Sequence, residues 1–227
     1  MKLVVSHITK SYGGKMILKD CSYTFDKTGT YVLMGPNGSG KSTLLRICAL
    51  LEKQDSGEIA YRDANTPLDQ NISLKRRITL VLPRTGVFNT TVYKNIAYGL
   101  KIRGLHDTEI HRKVNKALAF VGLGPKADQH GRTLSSGETQ RLGIARAMVL
   151  EPEVLFLDEP TASIDQENVQ IIESIIGKMK KEKNSMVIMT THDQDQAERL
   201  ADSLLVMREG MLVDRHSPPG MPTVIPE

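Results

Sequence analysis

The chain has 227 residues, 40% of them hydrophobic and 25% charged, with no Trp and two Cys. That is the make-up of an ordinary globular protein with room for a sizeable core, and no run approaches the roughly 18 apolar residues of a membrane span. The net charge is +4 with no basic run longer than Lys75-Arg76-Arg77, which argues against a nucleic-acid partner. Cys21 and Cys48 lie among apolar neighbours and read as core thiols in a reducing compartment.

In chain order, Met1 to His7 alternates like a strand and lacks the apolar centre of a signal peptide, so the chain is expected to stay in the cytoplasm. Strand-like runs fall at 3–8, 30–34, 77–82, 153–157, 186–190 and 203–207. Helical periodicity is readable at 41–51, 92–103, 108–121, 138–150, 166–181 and 193–201. Asp20, the run Asp26 to Gly29 and Asp55-Ser56-Gly57 look like turns, and 52–77 suggests a small antiparallel lobe. Val154-Leu155-Phe156-Leu157 and Met186-Val187-Ile188-Met189 are continuous rather than alternating, as in a parallel sheet covered on both faces. The expected class is therefore α/β, with the ligand at the carboxyl ends of the strands. Between about 84 and 148 strand signals vanish and helices follow one another, which reads as a helical subdomain inserted in the core. One domain over 1–216 and an irregular, proline-rich tail over 217–227 complete the expected organisation.

The most informative stretch is Gly35-Pro36-Asn37-Gly38-Ser39-Gly40-Lys41-Ser42-Thr43, between a strand-like and a helix-like run. Strand, glycine loop and helix make the pattern G-x-x-x-x-G-K-[ST] a phosphate site. Glycines let backbone N–H groups turn inward around a polyanion, and the helix start aims its positive dipole end at the same place. Lys41 is placed to reach the β- and γ-phosphates of a nucleoside triphosphate, and the Ser42 hydroxyl to ligate Mg2+. Downstream, the strand at 154–157 ends in Asp158-Glu159. Alone this is an ordinary turn; beside a phosphate loop, Asp158 is a metal carboxylate and Glu159 a base for the attacking water. Ser135-Ser136-Gly137-Glu138 opens a helix; alone it reads as a serine cap, and otherwise as a second anion cradle.

The order of the glycine loop, Leu134 to Gln140, the run Phe156 to Pro160, Ala162 to Asp165 and Thr190 to Asp193 resembles the nucleotide-binding domain of ATP-binding cassette (ABC) transporters over roughly residues 3–215. The resemblance implies a P-loop NTPase core with a mostly parallel sheet, a small antiparallel β lobe and an inserted helical subdomain. It makes 35–43 the Walker A loop, 154–159 the Walker B strand with Glu159 as catalytic base, and His192 the switch histidine on the γ-phosphate. Tyr12, otherwise a turn tyrosine, becomes the aromatic that stacks on adenine. Residues 134–138 become the signature loop that contacts nucleotide on the opposite subunit, and Asp165 lies in the loop between the two sites. The implied ligands are ATP and Mg2+. The implied partners are a second copy packed head to tail, integral membrane permease subunits and a solute-binding protein. The implied location is the inner face of the plasma membrane.

Three positions depart from the family pattern. Pro83 falls where a glutamine is usual, removing a contact to Mg2+ or water; slowed or altered hydrolysis is the expectation. Ser136 replaces a usual glycine, and Glu138 a common glutamine. The segments 46–53 and 88–101 look most like importers of small oxyanions, tungstate and molybdate among them. The alternatives are a cassette serving an exporter and a non-transport regulatory or clamp protein.

Overall fold

A computed structural model describes residues 1–182 and 185–214 of the chain; the tail expected at 217–227 lies outside them. Among the described residues, ten strands form two sheets, with seven α-helices between and around them. The strands are β1 (Lys2–Tyr12), β2 (Lys15–Phe25), β3 (Gly29–Met34), β4 (Ser56–Asp63), β5 (Thr66–Leu68), β6 (Ile78–Val81), β7 (Val154–Leu157), β8 (Met186–Thr191), β9 (Ser203–Arg208) and β10 (Met211–Asp214). The helices are α1 (Lys41–Cys48), α2 (Ile72–Lys75), α3 (Val92–Ile102), α4 (Asp107–Phe120), α5 (Ser136–Met148), α6 (Gln166–Glu182) and α7 (Gln194–Leu200).

One sheet has the order β10-β9-β3-β8-β7-β6, parallel from β9 to β6 with β10 added antiparallel. Its central strands are buried on both faces, which is why their sequences run apolar without alternation. The second sheet is antiparallel with order β2-β1-β4-β5, so the small lobe is larger than the 52–77 expected: the first 25 residues supply half of its strands. Asp20 is no turn. It sits inside β2 with φ 58, opposite His7 of β1 with φ 51, where the pairing register shifts; the kink broke the alternation from which a strand would be read. Residues 26–28 bend between β2 and β3 and Gly29 already opens β3, while Ser56 and Gly57 open β4.

The parallel sheet divides the core. Val32, Val81, Leu155, Leu157, Val187 and Met189 face a cluster built with Ile96, Leu118, Leu142 and Ile176 of the later helices. Their strand neighbours Leu33, Val154, Phe156 and Ile188 face α1 and the antiparallel sheet, in a cluster with Leu3, Val5, Leu44 and Tyr61. Between 84 and 148 the described structure is α3, α4, α5 and short 3-10 turns at Gly124–Lys126 and Gly131–Thr133, with one isolated bridge between Thr91 and His130. Both cysteines are buried free thiols. Burial pushes the Cys21 thiol up to about 11, beyond easy ionisation.

Candidate functional site: a phosphate loop at the strand ends

Register alone gathers the site. Met34 of β3 pairs with Thr191 of β8, and Leu157 of β7 pairs with Met189, so Gly35, Asp158 and His192 all emerge at one edge of the sheet. After β3 the chain turns through Gly35–Gly40 into α1. The Gly35 N–H donates to Thr191 O at 3.3 Å, and Ser39 N to Pro36 O at 3.2 Å. Gly40 holds φ 107 at the start of α1, where no side chain caps the helix. A left-handed residue there suits only glycine, and it leaves the first N–H groups of α1 free to face an anion.

Lys41 is 4% exposed; its Nζ donates to Gly35 O at 2.7 Å and Pro36 O at 3.2 Å, and lies 3.3 Å from Glu159 Oε1. Ser42 Oγ donates to Asp158 Oδ1 at 2.8 Å. Thr190, fully buried, donates to the same oxygen at 2.8 Å, and its Oγ1 accepts the Glu159 N–H at 2.9 Å. Glu159 takes φ 44, a conformation that costs a non-glycine residue about 1–3 kcal/mol and persists where surrounding bonds impose it. Here Thr190 holds its N–H, and its carbonyl accepts from Ala162 N at 3.1 Å. The result aims the Glu159 carboxylate between Lys41 and His192, whose Nδ1 lies 3.4 Å from Oε2. Lys41, Ser42, Asp158, Glu159 and His192 are thus brought together.

One feature fits a bound polyphosphate: Ser39 Oγ is buried in the loop and has no hydrogen-bond partner among the described residues. A Cβ on Gly35 would stand 2.4 Å from Met207 O, so the start of the loop packs against β9 too closely for a side chain. For Mg2+, the Ser42 hydroxyl and Asp158 carboxylate are hard oxygen donors side by side. No group of three or more His, Cys, Asp or Glu suited to a metal occurs among the described residues. The donor set therefore fits a cation that shares its shell with phosphate oxygens rather than one caged by protein.

Tyr12 ends β1 with its ring 43% exposed; the hydroxyl donates to Glu52 Oε1. Ser135 caps α5 in a capping box with Glu138, whose carboxylate also accepts from Lys126 Nζ. That bond comes first among the causes holding the Glu138 carboxyl below the usual range. Gly137 abuts Asn168, where a Cβ would stand 2.1 Å from Cγ, and Asn168 is moored to Asp165 at 2.8 Å. Glu138 thus binds Lys126 and Gly137 packs on Asn168, while the Ser135 side chain is taken up by the capping box. Pro83 is half-buried beyond β6, and the Thr85 hydroxyl of the same loop donates to Gln140 of α5 at 3.3 Å.

Sequence reasoning missed Thr190 as a site residue. The signal was available: once β7 and β8 are taken as adjacent parallel strands in this register, a threonine lies beside Asp158. It also missed Glu52 and Arg46, for which no local pattern exists.

The family model described as ABC transporter matches residues 18–162. The chain belongs to the ABC transporter family. This ABC ATPase is 37% identical over 210 residues to the tungstate uptake system ATP-binding protein TupC of Peptoclostridium acidaminophilum, covering 92% of this chain and 96% of that one. It is 33% identical over 224 residues to the phosphate import ATP-binding protein PstB 2 of Natronomonas pharaonis, covering 93% and 78%. To the sulfate/thiosulfate import ATP-binding protein CysA of Synechococcus elongatus it is 37% identical over 218 residues, covering 94% of this chain and 62% of the longer relative. Among solved structures, cbiO1 from Clostridium perfringens, part of the ABC transporter complex cbiONQ, superposes with a TM-score of 0.82 at 32% identity, covering 93% and 86%. No described helix of the ABC ATPase is long and apolar enough to cross a membrane.

Proposed function

We propose that this ABC ATPase is the motor subunit of an importer for a small inorganic oxyanion. The observation that carries the motor reading is the convergence of Lys41, Ser42, Asp158, Glu159, Thr190 and His192 at one sheet edge. Lys41 leaves its carbonyl partners to pair with the β- and γ-phosphates, and N–H groups of the 35–43 loop enclose them. Glu159, held by Thr190, accepts a proton from the attacking water, and His192 donates to the γ-phosphate. Ser42 and Asp158 would hold Mg2+, which when bound neutralises charge developing on the phosphates. Tyr12 offers its exposed face to the adenine.

The loop Ser135–Glu138, turned toward Asn168 and Lys126, is read as the surface that meets nucleotide on a second copy in a head-to-tail dimer. A groove of about 480 Å3 includes Leu82, Arg84, Phe88, Tyr98 and Arg146 in its lining. Its exposed Phe88 and Tyr98 rings meet at a tilt of 52° with centroids 4.6 Å apart, and Arg146 lies over Phe88 at 4.4 Å, which supports a permease contact beside Pro83. The oxyanion reading rests on relatives named for uptake of tungstate, phosphate and sulfate, and a solute-binding protein accompanies it.

Steady-state ATPase activity against protein concentration tests the motor. The expected rise is steeper than linear in the wild type and absent in Glu159→Gln; a linear dependence, or an active Glu159→Gln, overturns the dimer or the base. The substrate reading is tested in proteoliposomes with the permease and binding protein. Stimulation by tungstate or molybdate supports it, and stimulation by no oxyanion refutes it.

A further inference from the structure

An aromatic ring on an exposed turn samples several rotamers, yet Tyr12 is tied down at its far end. Its hydroxyl donates to Glu52 Oε1. The other oxygen of Glu52 accepts from Arg46 Nε at 2.9 Å, and Arg46 Nη2 lies 3.4 Å from Thr43 Oγ1. Arg46 and Thr43 both stand on α1, which opens at Lys41. A continuous chain of hydrogen bonds therefore runs from the end of the phosphate loop to the ring.

The backbone is fixed in the same direction. Ser11 N donates to Asp55 Oδ2 at 2.7 Å, and Asp55 N to Thr9 O at 2.9 Å, clamping the end of β1 to the segment after α1. Lys10 Nζ, held on Lys53 O at 2.7 Å, lies over the Tyr12 ring at 5.4 Å from its centroid. One ring face thus carries a cation, and a base has the other on which to stack. Burial raises the Glu52 carboxyl, but the bonds from Tyr12 and Arg46 outweigh it and hold the group ionised below the usual range.

We propose that Glu52 and Arg46 are positioning residues that fix the tilt and distance of the Tyr12 ring relative to the phosphate loop. The nucleoside triphosphate is then selected as one unit, base and phosphates together. The proposal rests on the reading of Tyr12 as the base platform. A ring ordered before binding loses less rotamer freedom when the base arrives, an effect of about 2- to 10-fold in affinity.

The test measures KM and kcat for ATP in Tyr12→Phe, Glu52→Ala and Tyr12→Ala, with inhibition by inorganic tripolyphosphate, which has phosphates and no base. Tyr12→Phe keeps the stacking ring and removes only the tether. The expected result is a KM for ATP raised about 2- to 10-fold in Tyr12→Phe and Glu52→Ala, with kcat and tripolyphosphate inhibition little changed. Tyr12→Ala raises KM further. A wild-type KM in Tyr12→Phe beside a raised one in Tyr12→Ala refutes the tether and leaves the platform standing. No change in Tyr12→Ala removes the platform and the tether with it. Tripolyphosphate inhibition weakened as much as ATP binding means the loop itself is distorted, and overturns the proposal.

Discussion

Replacing Thr190 with valine removes one oxygen atom and leaves the shape of the side chain in place. Two bonds disappear with it: the one Oγ1 donates to Asp158 Oδ1 at 2.8 Å and the one it accepts from Glu159 N at 2.9 Å. A bond to a charged group contributes about 1.5–3 kcal/mol, and an N–H left unsatisfied costs about 1–3 kcal/mol. The Glu159 N–H is only partly buried, so the lower end applies to it. The expected loss is about 3 kcal/mol. For a chain of this length each kcal/mol moves Tm by about 2–4 °C, so thermal unfolding should fall by roughly 6–12 °C. Catalysis should fall as well. Asp158 keeps only Ser42 as hydroxyl partner, and Glu159 loses the bond that holds its φ 44 turn. Displacement of a reacting group by about 1 Å can cost 100-fold, so a kcat reduced at least about 10-fold is expected. Thr190→Ser retains the oxygen and should keep kcat within about twofold of wild type. Calorimetry and a coupled phosphate-release assay measure both. A valine variant that melts and turns over like wild type refutes the reasoning, and a serine variant as damaged as valine shows that the methyl packing mattered instead.

Gly137→Ala places a Cβ 2.1 Å from Asn168 Cγ, whose side chain Asp165 holds. The expected cost is about 1–3 kcal/mol in urea unfolding, with loss of the concentration-dependent ATPase; unchanged values would mean Asn168 swings away freely. Lys126→Ala tests the Glu138 carboxyl, which Lys126 holds below its usual value. A depressed folded-state pKa contributes stability above the unfolded value, about 4.3, that is lost as pH falls through the folded one. The variant should therefore differ most from wild type near neutral pH and converge with it in acid, whereas a pH-independent gap in chemical denaturation would point to packing. Pro83→Gln supplies a side-chain oxygen in the loop after β6, whose last residue Val81 accepts from Asp158 N at 2.9 Å, and should raise kcat by more than about twofold; an unchanged or lower kcat shows that the proline does not limit hydrolysis.

The glycine loop between β3 and α1, the two continuous strands and the helix after Ser135 were legible because each rests on a local rule. Glycines in a fixed spacing, unbroken apolar runs, and a small polar cap before a helical period all act within about ten residues. β2 was not legible because the His7 and Asp20 kinks shift its register, and β10 is four residues whose partner is the strand just before it. The Tyr12, Glu52 and Arg46 network joins positions 40 residues apart, which only the closure of β1 against the segment after α1 brings together. Thr190 belongs to neither group: its type is visible in the sequence, but its role depends on which strands are neighbours.

The division of the core by the parallel sheet bears on how the molecule could be dissected. The helices between 84 and 148 share one apolar cluster with Leu155, Leu157, Val187 and Met189, which come from strands outside that segment. Excised, the segment would lose its floor and present that face to water. Chimeras that swap this segment between transporters must therefore carry the matching face of β7 and β8 with it. The helical segment is a limb of the molecule, and its graft boundary runs through the sheet rather than through the loops at its ends.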